Sequence, residues 1–278
     1  MQHLRPGTLR NPAVIVAFSG WNDAGNAASD LVAHLIAAYP GTDVGEIEGE
    51  RYYDFQHTRP MLHRAADGAW IEWPAIRLRV VHHPDRDLVV AVGPEPNLLW
   101  RTFSTELVTR IKEFNPQLVV FLGAMLSDTP HSRPLPVGSY TSDPHVEREY
   151  GMEISDYAGP TGMIGVVSQL MLHERVPAAS IWVSVPHYVS TPPNPKAQAA
   201  LLGELETVLK LTLDHASIAE DAERWATAVD ELSQQDPDIA EYIEQLEEAR
   251  DAEEVEGATG DTIAAELEKF LRKHGDEG

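Results

Sequence analysis

Residues 13–18 read Ala-Val-Ile-Val-Ala-Phe, an unbroken apolar run closed by Pro12 on one side and Gly20 on the other. A strand with one wet face alternates apolar and polar residues. A run with no polar position reads as a strand covered on both faces, as in the interior of a helix-covered sheet. The segment Gly20-Trp21-Asn22-Asp23-Ala24-Gly25 follows, and residues 24–39 then carry apolar side chains at helical spacing up to Pro40-Gly41. The same grammar recurs along the chain. Residues 87–92, 118–122 and 181–185 are strand-like, and residues 97–114, 161–175 and 195–209 are amphipathic helices. Strands alternating with helices predict an α/β fold with a mainly parallel sheet and helices on both faces.

Alternating stretches at 51–55, 61–64, 69–73 and 76–82 predict further strands, with Asp67-Gly68 turning a hairpin. No internal repeat is present. Beyond Leu213 the character changes to Ala, Glu and Leu, and residues 218–249 and 262–273 read as helices. Asp236 caps a new helix, with Pro237 at its first position. The expected organisation is therefore a sheet domain over 1–212 and an acidic helical extension over 213–278. In the extension Trp225, Val229, Leu232, Ile239, Tyr242, Ile243 and Leu246 form a stripe that packs onto the sheet domain or a neighbouring subunit.

The net charge is −23, of which −17 falls on residues 204–278. So negative a surface repels phosphate backbones and anionic lipid heads, so neither nucleic acid nor membrane is an expected partner. No run of eighteen apolar residues exists, and the opening MQHLRPGTLR lacks the apolar core of a secretory signal. With no cysteine there is no disulfide or thiolate chemistry, and the expected compartment is the cytoplasm.

In a parallel α/β sheet, ligands bind beyond the carboxyl ends of the strands. The polar residues at those positions are Trp21, Asn22 and Asp23 after the first strand, then Asn97 and Arg101, then Asp128, His131 and Arg133, then His187. Gly159-Pro160-Thr161-Gly162 opens a helix whose free amides, at Thr161 and Gly162, can face an anion. Arg101 and Arg133 are the expected grips for a carboxylate or phosphate, since a guanidinium binds either with two parallel hydrogen bonds. His131 is the best acid–base candidate, with Asp128 to orient it. Each residue also has a plainer use: Asn22 or Asp23 caps the next helix, and the 128–133 cluster ties down its own loop. There is no P-loop, dinucleotide fingerprint, GxSxG elbow or metal-ligand spacing, so no metal and no cofactor is expected.

The segments Phe18 to Gly25, Tyr52 to Pro60, Glu95 to Arg101, Leu122-Gly123-Ala124, Asp128 to Pro134, Gly159 to Gly162 and Val185 to Tyr188 together resemble the bacterial branch of the proteasome assembly chaperone 2 family. The likeness runs in order from about Val14 to Lys196 and continues into the acidic tail. It implies a three-layer α/β/α sandwich of the phosphorylase/hydrolase-like type, with a mixed, mainly parallel sheet, a C-terminal helical extension and homo-oligomers. It supplies no established catalytic residue. Archaeal relatives bind proteasomes through a hydrophobic-Tyr-any C-terminal signal, whereas this sequence ends Lys273-His274-Gly275-Asp276-Glu277-Gly278. Docking through that signal is therefore not expected. Two readings stand: an oligomeric protein-binding or assembly factor, or an enzyme or small-molecule binder acting on an anionic substrate at the strand ends.

Overall fold

The computed structural model describes residues 9–257. Strand β1 (Ala13–Ser19) leads through a short 3₁₀ turn to helix α1 (Ala27–Ala38), then β2 (Gly41–Glu48). A hairpin of β3 (Met61–Ala65) and β4 (Gly68–Glu72) precedes β5 (Ala75–His82) and β6 (Asp87–Pro94). Next come α2 (Trp100–Lys112), β7 (Leu118–Ser127), β8 (Val137–Thr141), α3 (Pro144–Tyr150) and the two-residue β9 (Glu153–Ile154). Helix α4 (Met163–His173), β10 (Ala178–Pro186), α5 (Pro195–Leu209), α6 (Ala216–Ser233) and α7 (Pro237–Gly257) follow.

Eight strands form one sheet in the order β2-β5-β6-β1-β7-β10-β8-β9. Its centre, β6-β1-β7-β10, is parallel. Antiparallel pairing of β5 with β6, β2 with β5, and β8 with β10 extends it on both sides. All of Ala13 to Phe18 is fully buried, as an apolar run demands. Ala13, Ile15 and Ala17 face α1 and α5, packing with Leu31, Leu35, Leu201 and Leu205. Val14, Val16 and Phe18 face α2 and α4, packing with Phe103, Leu107, Met163 and Val167. The result is the mixed, mainly parallel three-layer sandwich, with α6 laid on α5.

Three expectations are corrected. Residues 51–55 are a turn, not a strand: the amides of Tyr52 and Tyr53 both donate to Gly49 O, at 2.8 and 3.0 Å. Both tyrosines are buried. Two neighbours in a strand point to opposite faces, so burying both in one core requires the bend. Helix α2 starts at Trp100 rather than Asn97, because Leu99 sits in the left-handed region with φ 52. Leu232 of the tail stripe faces solvent, whereas Val229 and Ile243 are buried. Strands β2 and β8 and helix α3 carry too few apolar residues to announce themselves, since they form margins of the sheet. Asp236 caps α7 as expected, its Oδ1 accepting from Asp238 N at 3.0 Å. The expected helix over 262–273 lies outside the described residues.

Candidate functional site

Because β6, β1, β7 and β10 run parallel, their carboxyl ends share one edge, where the loops carrying the sequence candidates emerge. Four strands at about 4.8 Å spacing spread those loops over about 14 Å, and the candidates fall into separate bonded groups.

The central group lies beyond β1. Asn22, buried, donates through Nδ2 to Glu95 Oε1 at 2.8 Å. The same Oε1 accepts from the first amide of α4, Met163 N, at 2.7 Å. Helix α4 has no side-chain cap of its own, because Gly162 precedes it. Glu95 therefore supplies the negative charge that a helix N-terminus attracts. Gly162 is required there: a Cβ would lie 2.5 Å from Asn22 Oδ1. Asp23 serves α1 instead, accepting from Ala28 N at 2.8 Å and Ser29 N at 3.3 Å through Oδ1. Its Oδ2 accepts from Ser29 Oγ at 2.5 Å. Burial pushes the Asp23 carboxyl above its ordinary range, against those three hydrogen bonds.

Beyond β6, Asn97 Oδ1 accepts from Asp54 N and Thr58 Oγ1, both at 3.0 Å, which ties down the 54–58 loop. Arg101 stands exposed on α2, beside a shallow open depression shared with Thr102, Thr105 and Glu106. Thr161 is exposed before α4, and Trp21 is 72% exposed between the loops that follow β6 and β7.

The third group lies beyond β7 and β10. His131 is 1% exposed, with Nδ1 2.8 Å from Tyr188 Oη and Nε2 2.9 Å from Asp230 Oδ1. Tyr188 Oη also accepts from His131 N at 2.7 Å, so its own hydrogen is available to Nδ1. That pattern assigns a neutral imidazole donating from Nε2 to Asp230. Burial lowers the His131 pKa, and the pull of Asp230 only partly offsets this. Burial likewise pushes the Tyr188 phenol up to about 12. Lys196 Nζ donates to His131 O, and its pKa is lowered by burial. Arg133 grips Asp251 with Nε and Nη2, both at 2.8 Å, and stands 3.5 Å from Glu247. His187 Nδ1 lies 3.1 Å from Asp128 Oδ1, which also accepts from Tyr242 Oη at 3.3 Å.

The structure thus brings together Asp128, His131, Arg133 and His187, and separately Asn22, Asp23 and Gly162. It joins neither Asn97 nor Arg101 to them by any direct hydrogen bond or ion pair it records. Asp128 pairs with His187, and the carboxylate that orients His131 is Asp230 of α6. Sequence reasoning overlooked Glu95, Tyr188, Asp230, Glu247 and Asp251. Glu95, at the head of the Glu95 to Arg101 segment, and Tyr188, next to His187, stood within segments already singled out, though with no role assigned; the other three did not. Among the described residues no group of three or more His, Asp or Glu is placed to hold a metal ion.

These features define a three-layer α/β/α protein whose sheet edge beyond β7 and β10 is strapped by its own C-terminal helices. The chain belongs to the PAC2 family, whose model matches residues 17–233. It is similar to the solved PAC2 family protein of Streptomyces avermitilis, at 43% identity and TM-score 0.77, covering 83% of this chain and 99% of that one. It is equally similar to the proteasome-assembly chaperone homologue of Mycobacterium tuberculosis: 43% identity, TM-score 0.75, with the same coverage of 83% and 99%. An archaeal proteasome activator of Pyrococcus furiosus shares the fold at 14% identity and TM-score 0.66, over 83% of this chain and 96% of that one. No curated protein matches the chain.

Proposed function

We propose that this protein is a homo-oligomeric, protein-binding factor of assembly-chaperone type, in which residues 1–212 form the binding body and 213–278 a covering extension. The observation that carries the reading is its exposed apolar surface. Trp21, Leu98, Leu99, Met125 and Leu126 stand exposed on the carboxyl ends and following loops of three adjacent strands, and Met61, Leu62, Trp70, Ile71 and Trp73 on or beside the β3–β4 hairpin. Large apolar side chains grouped in this way are a costly surface for a lone subunit and mark contacts with other chains. The assembly-chaperone description of the Mycobacterium relative supports the same reading.

The alternative, an anion-handling enzyme, draws less support from the geometry. The N-terminus of α4 is filled by Glu95, both ring nitrogens of His131 are occupied, and Arg101 stands on α2. No helix among the described residues is long and apolar enough to cross a membrane. We take the compartment to be the cytoplasm, in keeping with a chain that has no cysteine.

Light scattering at tens of micromolar tests the proposal. The expected result is an oligomer mass that falls on Trp70→Ser/Trp73→Ser or on Trp21→Ser, with an unchanged melting temperature of the separated subunit. A monomeric wild-type chain at that concentration would sink it.

A further inference from the structure

Helix α7 lies against the 128–133 loop through one of its faces. Ile243, Glu247 and Asp251 follow one another at four-residue spacing, which stacks them along a single stripe of the helix. Ile243 is buried, Glu247 pairs with Ser132 and Arg133, and Asp251 takes the bidentate grip of Arg133. Beneath the helix Arg133 is the cation that faces α7, while His187 is paired with Asp128, His131 with Asp230, and Lys196 donates to His131 O. The attachments are half-exposed: Arg133 keeps 33% of its side-chain surface and Asp251 52%. Ion pairs this wet are screened by salt and contribute little each. With one buried apolar side chain among its described residues, Ile243, α7 belongs to the low-stability end of the structure.

We propose that the Arg133 surface is a receptor for an acidic helix, with α7 as its resident occupant in cis. The partner it fits is a protein helix presenting an apolar residue and two carboxylates at successive four-residue spacings, the pattern that α7 itself shows. A guanidinium that already holds one carboxylate bidentately offers the same two donors to a carboxylate in trans once α7 lifts. Binding in trans is then competitive with the strap, which keeps the surface closed to weak or misplaced acidic segments. This surface adjoins the apolar group at the end of β7, but its test reads helix protection and peptide affinity rather than oligomer mass, so the two proposals can fail separately.

The test uses the full chain carrying Glu247→Lys and Asp251→Lys, which sets like charges against Arg133. Hydrogen exchange should show the amides of 237–252 losing protection while the strands keep theirs. A fluorescent peptide of residues 237–257 should then bind this variant at least about tenfold tighter than it binds the wild type, and more weakly at 300 mM than at 50 mM salt. Adding Arg133→Gln should cost about tenfold in that affinity, and Arg133→Glu should restore the protection of α7 by reversing the pair. Unchanged protection in the double variant overturns the proposal. So does peptide binding that is no tighter than to the wild type, or that survives Arg133→Gln.

Discussion

Replacing Glu95 by alanine should unlatch the carboxyl edge of the sheet. One carboxylate oxygen, Glu95 Oε1, accepts from Asn22 Nδ2 and from Met163 N, so it joins the loop after β1 to the start of α4. Asn22 and Met163 are both buried, so neither donor finds water easily when the acceptor is deleted. A hydrogen bond to a charged group contributes about 1.5–3 kcal/mol, and leaving a buried donor unmet costs about 1–3 kcal/mol. The two bonds share one acceptor and are not additive, so we expect a total loss of about 3 kcal/mol. For a domain of this size that corresponds to a fall in melting temperature of roughly 6–12 °C. Glu95→Gln keeps an oxygen acceptor but drops the charge that favours a helix N-terminus, and should cost about 1 kcal/mol. Scanning calorimetry of the two variants beside the wild type reads both. An alanine variant melting within about 2 °C of wild type would refute the reasoning, and so would a glutamine variant as damaged as the alanine one.

Two further perturbations follow from the same geometry. His131 is buried as a neutral imidazole with its pKa below the ordinary 6.5, so the unfolded chain takes up the proton first on acidification. The protein should therefore lose stability as the pH falls below about 6.5 toward the folded value, and His131→Gln should flatten that part of a urea-midpoint profile. Gly25 has φ +61 and its absent Cβ would lie 2.7 Å from Asn194 Cβ, so Gly25→Ala combines strain with a clash. It should cost about 2–4 kcal/mol in urea unfolding, whereas Gly203→Ala, on α5 with nothing near the added methyl, should cost nothing.

What the sequence determined by itself is the parallel centre of the fold. The 13–18 run cannot be half-wet, and the repeated strand–helix grammar leaves few topologies other than a helix-covered parallel sheet. The same periodicity places the candidate loops on one edge, because every parallel strand delivers its following loop to the same side. The margins were not legible. Strand β2 buries little beyond Ile47, and edge strands need no alternating pattern when only one partner covers them. Nor was the pairing of the polar residues. Asp128 lies three residues from His131 in the chain, yet Asp230, ninety-nine residues away, is the group that bonds it. Glu95 and Met163 are likewise far apart in sequence, and their contact exists only because β6 and α4 meet on one face of the sheet. Chemical type and strand position can be read locally, whereas partner choice depends on how helices α4, α6 and α7 dock, and docking is decided by packing across the whole sheet.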